Sequence, residues 1–357
     1  MSRVRGRGTG LWNSLMQRMG ILLLVVGLLP GCGQDAQQGP PVLKPSQVLA
    51  DNIASSNANR NPIGPTVSIK ARHPWRIAFL MKNFAWANPY WRRANRGADL
   101  ARAGMGVSLR ALGVEEYGIE AQIKSLDNLI REGRTDGLII APVDSNRLSP
   151  VVEKAVAAGI PVIVYDTPLN ADGILTFVGF DNFKAGTLLG RWVVEQLEGQ
   201  GNVLILEGPA GNQNALDRRN GMMAGLREGD INVLGLKSGG WRRDQARHIT
   251  AAWLERHQRI DAILAADDEM ALGAADAVQA AARRGIIITG FDANADALLA
   301  IRGGTLHATI DQQPELLARS AMQLMVRHLE SGALFAPTQL WDNIQLITAE
   351  NVVNFQK

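Results

Sequence analysis

Cysteine is almost absent. The 357-residue chain has one, Cys32, which excludes an intrachain disulfide framework and any zinc cluster built on cysteines. Histidine is sparse as well. His73, His248, His257, His307 and His328 form no H-x-x-x-H or H-E-x-x-H pair, so their spacing supports no zinc site. The motifs of nucleotide and hydrolase chemistry are missing. No G-x-G-x-x-G follows a strand-like run, and Gly208-Pro209-Ala210-Gly211 does not fit that pattern. There is neither a G-x-x-x-x-G-K-[ST] loop nor a G-x-S-x-G elbow. The sequence therefore implies no cofactor, and an enzyme is not expected. Long apolar runs are lacking too: the nine residues 21–29 (ILLLVVGLL) cannot cross about 30 Å of hydrocarbon.

An excess of one charge is also missing once its distribution is considered. The formal net charge is +3. Arg3, Arg5, Arg7 and Arg18 stand in a stretch, residues 1–32, that holds no acid, so removing those four charges leaves about −1 for the rest. A body near neutrality without a Lys/Arg stripe is a poor nucleic-acid binder, and no nucleic-acid partner is expected.

What is present begins with an address. A basic segment, a short apolar run and then Leu29-Pro30-Gly31-Cys32 have the form of an export signal. Small residues before the sole cysteine resemble a bacterial lipobox, in which the cysteine is lipidated after cleavage, although Pro30 is unusual there. Two acyl chains on Cys32 would anchor the chain stably. An ordinary signal peptide with an incidental cysteine and a retained membrane anchor are the alternatives. Residues 33–74, rich in Gln, Pro, Asn, Ser and Ala, read as a tether that cannot bury enough apolar surface to fold. Its reach is roughly 35–40 Å, with a short helix possible around 46–54.

From Trp75 onward, short apolar runs alternate with amphipathic stretches of ten or more residues, the pattern of βαβ units. Strands are predicted at 75–81, 105–111, 137–141, 160–165 and 175–180, then at 202–207, 233–237, 262–265, 286–291 and 308–310. Helices are predicted at 90–103, 120–131, 147–158, 182–197, 215–227, 242–257, 269–282 and 314–329. Two such sets imply two α/β lobes; 46% hydrophobic content and a length beyond one core agree. Several strands end in Asp, at Asp144, Asp166, Asp267 and Asp292, and ligands in open α/β sheets sit beyond the carboxyl ends of strands. In Asp267-Asp268-Glu269, the second and third acids read as first-turn helix acids rather than as catalytic groups.

Asn88-Pro89-Tyr90-Trp91, Gly208-Pro-Ala-Gly-Asn…Arg218-Arg219-Asn220-Gly221, Asp267-Asp268-Glu269-Met270-Ala271-Leu272-Gly273-Ala274, Gly290-Phe291-Asp292 and Ala308-Thr309-Ile310-Asp311-Gln312 stand in one order over about 75–347. In this the chain resembles the periplasmic sugar-binding proteins of ABC importers, the ribose and allose binders above all. The resemblance implies a type I periplasmic-binding-protein fold: two doubly wound α/β lobes with parallel sheets, joined by three hinge crossovers near Phe180, Asp311 and Leu340. The lobes would comprise 75–180 plus 312–340 and 181–311 plus 341–357. The same fold serves as the effector domain of Lac-repressor-type regulators, but those carry a DNA-binding domain where this chain has an export signal.

Carried over residue by residue, the resemblance implies a monosaccharide ligand held by Lys82, Asn88, Tyr90, Trp91 and Asp166 from the first lobe. Arg218, Trp241, Asp267 and Asp292 would come from the second, with Gln312 at a crossover. The chemistry agrees: aromatic faces suit the C–H faces of a sugar, and charged planar groups suit its hydroxyls. The implied partner is an ABC permease, or alternatively a chemoreceptor or histidine kinase that reads the closed form. A monomer is expected. Trp192 and Trp253 read as core or surface, and Trp341 as part of the terminal crossover. Three departures stand out. The loop 82–88 is about two residues longer than in the ribose and allose binders, which would let Trp86 cover the cleft. Thr167 replaces an arginine. Asp267 replaces an asparagine; the extra acid would either pair with Lys82 or select a donor-rich or cationic ligand such as an amino sugar.

Overall fold

The structure, a computed structural model, describes residues 69–341 and 343–355. The export segment, lipidation at Cys32 and nearly all of the tether with its short helix lie outside the described residues.

The chain first lays down β1 (Arg76–Leu80), β2 (Ser108–Leu112), β3 (Gly137–Ile140), β4 (Val162–Asp166) and β5 (Thr176–Phe180). Between them lie α1 (Pro89–Met105), α2 (Ile119–Glu132) and α3 (Ser149–Ala157). A second series follows: α4 (Asn182–Gln196), β6 (Gln200–Glu207), α5 (Gln213–Leu226), β7 (Asp230–Ser238), α6 (Arg243–Arg256) and β8 (Ala262–Ala265). It ends with α7 (Asp268–Ala280), β9 (Ile287–Thr289), α8 (Ala295–Arg302) and β10 (Ala308–Asp311). Then α9 (Pro314–Ser331) returns to pack on α1, and β11 (Thr338–Trp341) and β12 (Gln345–Thr348) close the fold.

Two six-stranded sheets result, ordered β11-β5-β4-β3-β1-β2 and β12-β10-β9-β8-β6-β7. The chain thus passes between sheets three times, after Phe180, after Asp311 and after Trp341. Trp341 pairs with Phe180 and stays with the first sheet. The central strands GLII, VIVYD and AILA are buried at every position, because helices cover both faces of a parallel sheet. Alternation works within them: Ile77 and Phe79 of β1 join one apolar cluster, Ala78 and Leu80 the other. The edge strand β2 is mostly exposed or half-buried instead.

Three readings of the sequence need correction. The sheets are not wholly parallel, since β12 runs antiparallel to β10. The cause is topological. Strand β11 is parallel to β5 and ends beside the crossovers, so a short connection delivers the chain to the end of the second sheet where the parallel strands finish, and β12 must run away from it. The strands at 338–341 and 345–348 and the helix Ala295–Arg302 carry runs too short for periodicity to reveal. The strand expected from 105 begins at Ser108, because Met105 closes α1 and Gly106 ends that helix in the left-handed conformation, φ 75°.

Candidate functional site

The carboxyl ends of the two sheets face a common cleft, and the turns there are built with side chains that cap helices. Asn88 caps α1, accepting the Trp91 N–H at 3.2 Å. Asn212 caps α5 through the Ala215 N–H at 3.2 Å, and Asp267 caps α7 through the Met270 N–H at 2.8 Å. Each cap satisfies a donor that the helix leaves free and holds its neighbours at the cleft. Helix α5 is set against α4 backbone to backbone. A Cβ on Gly190 would stand 2.5 Å from the Met222 carbonyl oxygen, and one on Gly221 2.2 Å from that of Phe183. That close approach delivers Arg218 to the cleft.

A pocket lies between the lobes, lined by Lys82, Asn88, Tyr90, Trp91, Asp166, Arg218, Trp241, Asp267, Asp292 and Gln312, together with Tyr117 and Asn214. The structure thus brings together all ten residues singled out from the sequence. It does not bring Trp86, which is 76% exposed and stacks on Phe84 outside the lining. Sequence reasoning missed Tyr117 and Asn214. Asn214 stands four residues before Arg218, on the same helical face, a signal that was legible. Tyr117 reaches the pocket only through the left-handed turn before Gly118.

The pocket is organised around ion pairs. Lys82 Nζ lies 2.6 Å from Asp166 Oδ2 and also donates to the Thr167 hydroxyl. Tyr90 donates its hydroxyl to Asp166 Oδ1 at 2.7 Å. Lys82 therefore supplies next to Thr167 the cation that the replaced arginine would have carried, and it does not pair with Asp267. Burial alone would raise the Asp166 carboxyl, but the Lys82 ammonium, the Tyr90 hydroxyl and the Arg218 charge together outweigh it and hold the group below its ordinary value. Arg218 donates to Asn182 Oδ1 at 2.8 Å and to the Ala266 carbonyl at 2.7 Å, and its Nη1 lies 3.5 Å from Asp292 Oδ1. Its guanidinium sits 3.9 Å over the Phe291 ring and 5.5 Å from the Trp241 ring. Gln312 donates to Asp292. Burial pushes the Asp292 carboxyl up to about 7, against the pull of Arg218.

Asp268, read as a first-turn acid, is in that turn, but the cap is Asp267. Asp268 is fully buried behind the pocket, accepting from the Asn294 N–H and the Thr309 hydroxyl, both at 2.7 Å. Asn88 does more than face a ligand: besides capping α1 it donates to the Tyr117 hydroxyl at 3.2 Å.

Four lining residues, Tyr117, Asp166, Trp241 and Asp292, have positive φ, at 59°, 64°, 63° and 116°. Non-glycine residues held there cost roughly 1–3 kcal/mol each and gather where function needs a particular geometry. The lobes also touch across the cleft. Asn214 donates to the Asp166 carbonyl at 3.2 Å, Ser145 N–H to the Gly211 carbonyl at 3.0 Å, and Asn212 Nδ2 to the Val143 carbonyl at 3.2 Å. The Asn214 Oδ1 is buried without a donor among the described residues. Such a wall of donors, acceptors and two indoles, closed from both sides, can hold a small polyhydroxylated molecule.

Comparison with known proteins agrees with this architecture. Residues 77–333 match the family described as periplasmic binding protein domain. The D-ribose/D-allose-binding protein of Pseudomonas aeruginosa is 31% identical over 284 residues, 74% of this chain and 88% of that protein. An ABC transporter periplasmic solute-binding protein from Actinobacillus succinogenes, solved with bound D-allose, superposes with a TM-score of 0.73 at 29% identity, covering 79% of this chain and all of that one. The fructose-binding periplasmic domain of the hybrid two-component system BT1754 superposes with a TM-score of 0.72 at 25% identity, covering 78% and 92%. With both lobes, the crossovers and most of the chain accounted for, the protein belongs to the periplasmic binding protein family, as a type I sugar-binding member.

Proposed function

We propose that the chain is an exported, lipid-anchored solute-binding protein that captures a monosaccharide or related polyol between its lobes and delivers it to an ABC permease. It performs no catalysis and acts as a monomer. The observation that carries this reading is the convergence of Trp91, Asp166 and Lys82 from one lobe with Arg218, Trp241 and Asp292 from the other on one small pocket. The lobes divide at 75–180 plus 312–341 and 181–311 plus the tail.

The mechanism is hinge closure. A ligand that touches both half-sites stabilises the closed form because only that form offers both sets of contacts. The indoles pack on C–H faces while Asp166, Asp292 and Arg218 take hydroxyls in a site shielded from water. Titration of the full chain with D-ribose, D-allose, D-fructose and myo-inositol tests the reading. One or more should bind with a stoichiometry of one, and Arg218→Ala and Trp241→Ala should each weaken binding at least tenfold. Failure of all four, or unchanged curves for both variants, contradicts it. Lipidation is tested by Cys32→Ala, which should release the protein from the membrane fraction. A sensory role, presenting the closed form to a membrane kinase or chemoreceptor, is the second reading; the likeness to the fructose-binding domain of a two-component system favours it. A permease that fails to import in the absence of this protein would decide for transport.

A further inference from the structure

The pocket wall holds more negative than positive charge. Lys82 and Arg218 face Asp166, Asp267 and Asp292. Lys82 is committed to Asp166 at 2.6 Å, and Arg218 lies 3.5 Å from Asp292. No ion pair among the described residues reaches Asp267, which is only 4% exposed. Its Oδ1 accepts the Met270 N–H at 2.8 Å, and its Oδ2 accepts no hydrogen bond from the described residues. Helix capping does not explain the charge, because asparagine caps as well as aspartate. A lone buried carboxylate is costly to keep, and asparagine here would remove that cost.

We propose that Asp267 is the counter-charge for a protonated amine on the ligand, so that the cleft prefers amino sugars or amino polyols to their hydroxyl isosteres. This rests on the sugar-clamp reading above and adds the substrate class. The cap to Met270 fixes the carboxylate so that one oxygen stays open to the pocket. An ammonium there would meet an uncompensated anion, while a hydroxyl would meet an acceptor that remains unneutralised. The other charged groups about Asp267 do not supply the missing cation. Asp292 beside it and Asp268 and Glu269 on its own helix are acids. Tyr117 across the cleft is a neutral phenol, and Lys82 and Arg218 are already engaged. Burial and then the neighbouring Asp292 push the Asp267 carboxyl well above its ordinary range.

The test is calorimetric titration of the full chain at pH 6.5 with matched pairs: D-glucose and D-glucosamine, D-galactose and D-galactosamine, D-allose and 2-amino-2-deoxy-D-allose, D-ribose and 2-amino-2-deoxy-D-ribose. In at least one pair the amine should bind tenfold or more tightly than its isostere. Asp267→Asn, which preserves the cap, should abolish that preference while the neutral sugar still binds. Binding of neutral sugars with no amine preferred in any pair overturns the inference and leaves the sugar clamp standing. So does a preference that survives Asp267→Asn. Binding of none of the eight overturns the clamp reading itself, and this inference with it.

Discussion

Gly211→Ala should weaken ligand binding by impeding closure, and the size of the effect can be worked from the contact it disturbs. A Cβ at Gly211 would lie 2.2 Å from Asp144 Oδ2, on the opposite lobe. Asp144 cannot simply turn away. Its Oδ1 accepts the N–H groups of Asn146 and Arg147 at 2.9 and 2.8 Å. Giving up both would cost about 2 kcal/mol at roughly 1 kcal/mol each, and the cost falls only on the closed form. Affinity should then fall about 30-fold. Gly211 also has φ +83°, where an alanine is strained by about 1–2 kcal/mol. That strain is present in the open and closed forms alike, so it lowers the melting temperature without changing Kd. Calorimetric titration with the sugar that binds best separates the two effects. In an Asp144→Ala background the Gly211 substitution should cost little affinity. An unchanged Kd for Gly211→Ala, or an equal loss with and without the Asp144 side chain, would refute the reasoning.

Other predictions follow from burial. Lys82→Met leaves Asp166 without its cation in a buried site, which should destabilise the fold by about 3–5 kcal/mol; denaturant unfolding reads it, and a loss under 1 kcal/mol would show that Asp166 finds another partner. Gly190→Ala drives a methyl to 2.5 Å from the Met222 carbonyl, so α4 and α5 must part; a loss of roughly 1–3 kcal/mol from overpacking should accompany weaker sugar binding as Arg218 shifts. Burial raises the Asp217 carboxyl from 3.8 to about 6 despite its hydrogen bond from Gln213. The folded state thus holds more protons than the unfolded chain between those values, and this group's contribution to stability is lost as pH rises through about 6. Asp217→Asn should therefore flatten the stability profile between pH 4 and 6 and raise stability at pH 7.5 by about 1–3 kcal/mol. Identical pH profiles for the two proteins would count against it.

Much of this was legible in the sequence, for physical reasons that differ from element to element. The buried central strands are runs such as Val162–Asp166, VIVYD, whose unbroken apolarity is what two helical layers demand. The binding groups stand where those strands end, so strand recognition and site recognition were a single step for Asp166, Asp267 and Asp292. What stayed hidden depends on tertiary geometry. The direction of β12 follows from where a crossover deposits the chain. Tyr117 arrives through a left-handed backbone that no periodicity encodes. The partner of Lys82 was decided by the lobe it lies in: Asp166 ends β4 of the same sheet, while Asp267 begins a helix across the cleft. Trp86, in the longer loop, stacks on Phe84 and remains in solvent, because local ring stacking in that loop turns its indole away from the pocket.

The account stands or falls on two lobes closing over one sugar, and small-angle scattering of the full chain measures that most directly. On saturation with a sugar that binds calorimetrically, the radius of gyration should contract, and the same sugar at the same concentration should leave Arg218→Ala expanded. Stoichiometric binding to the native protein without any contraction would contradict the account.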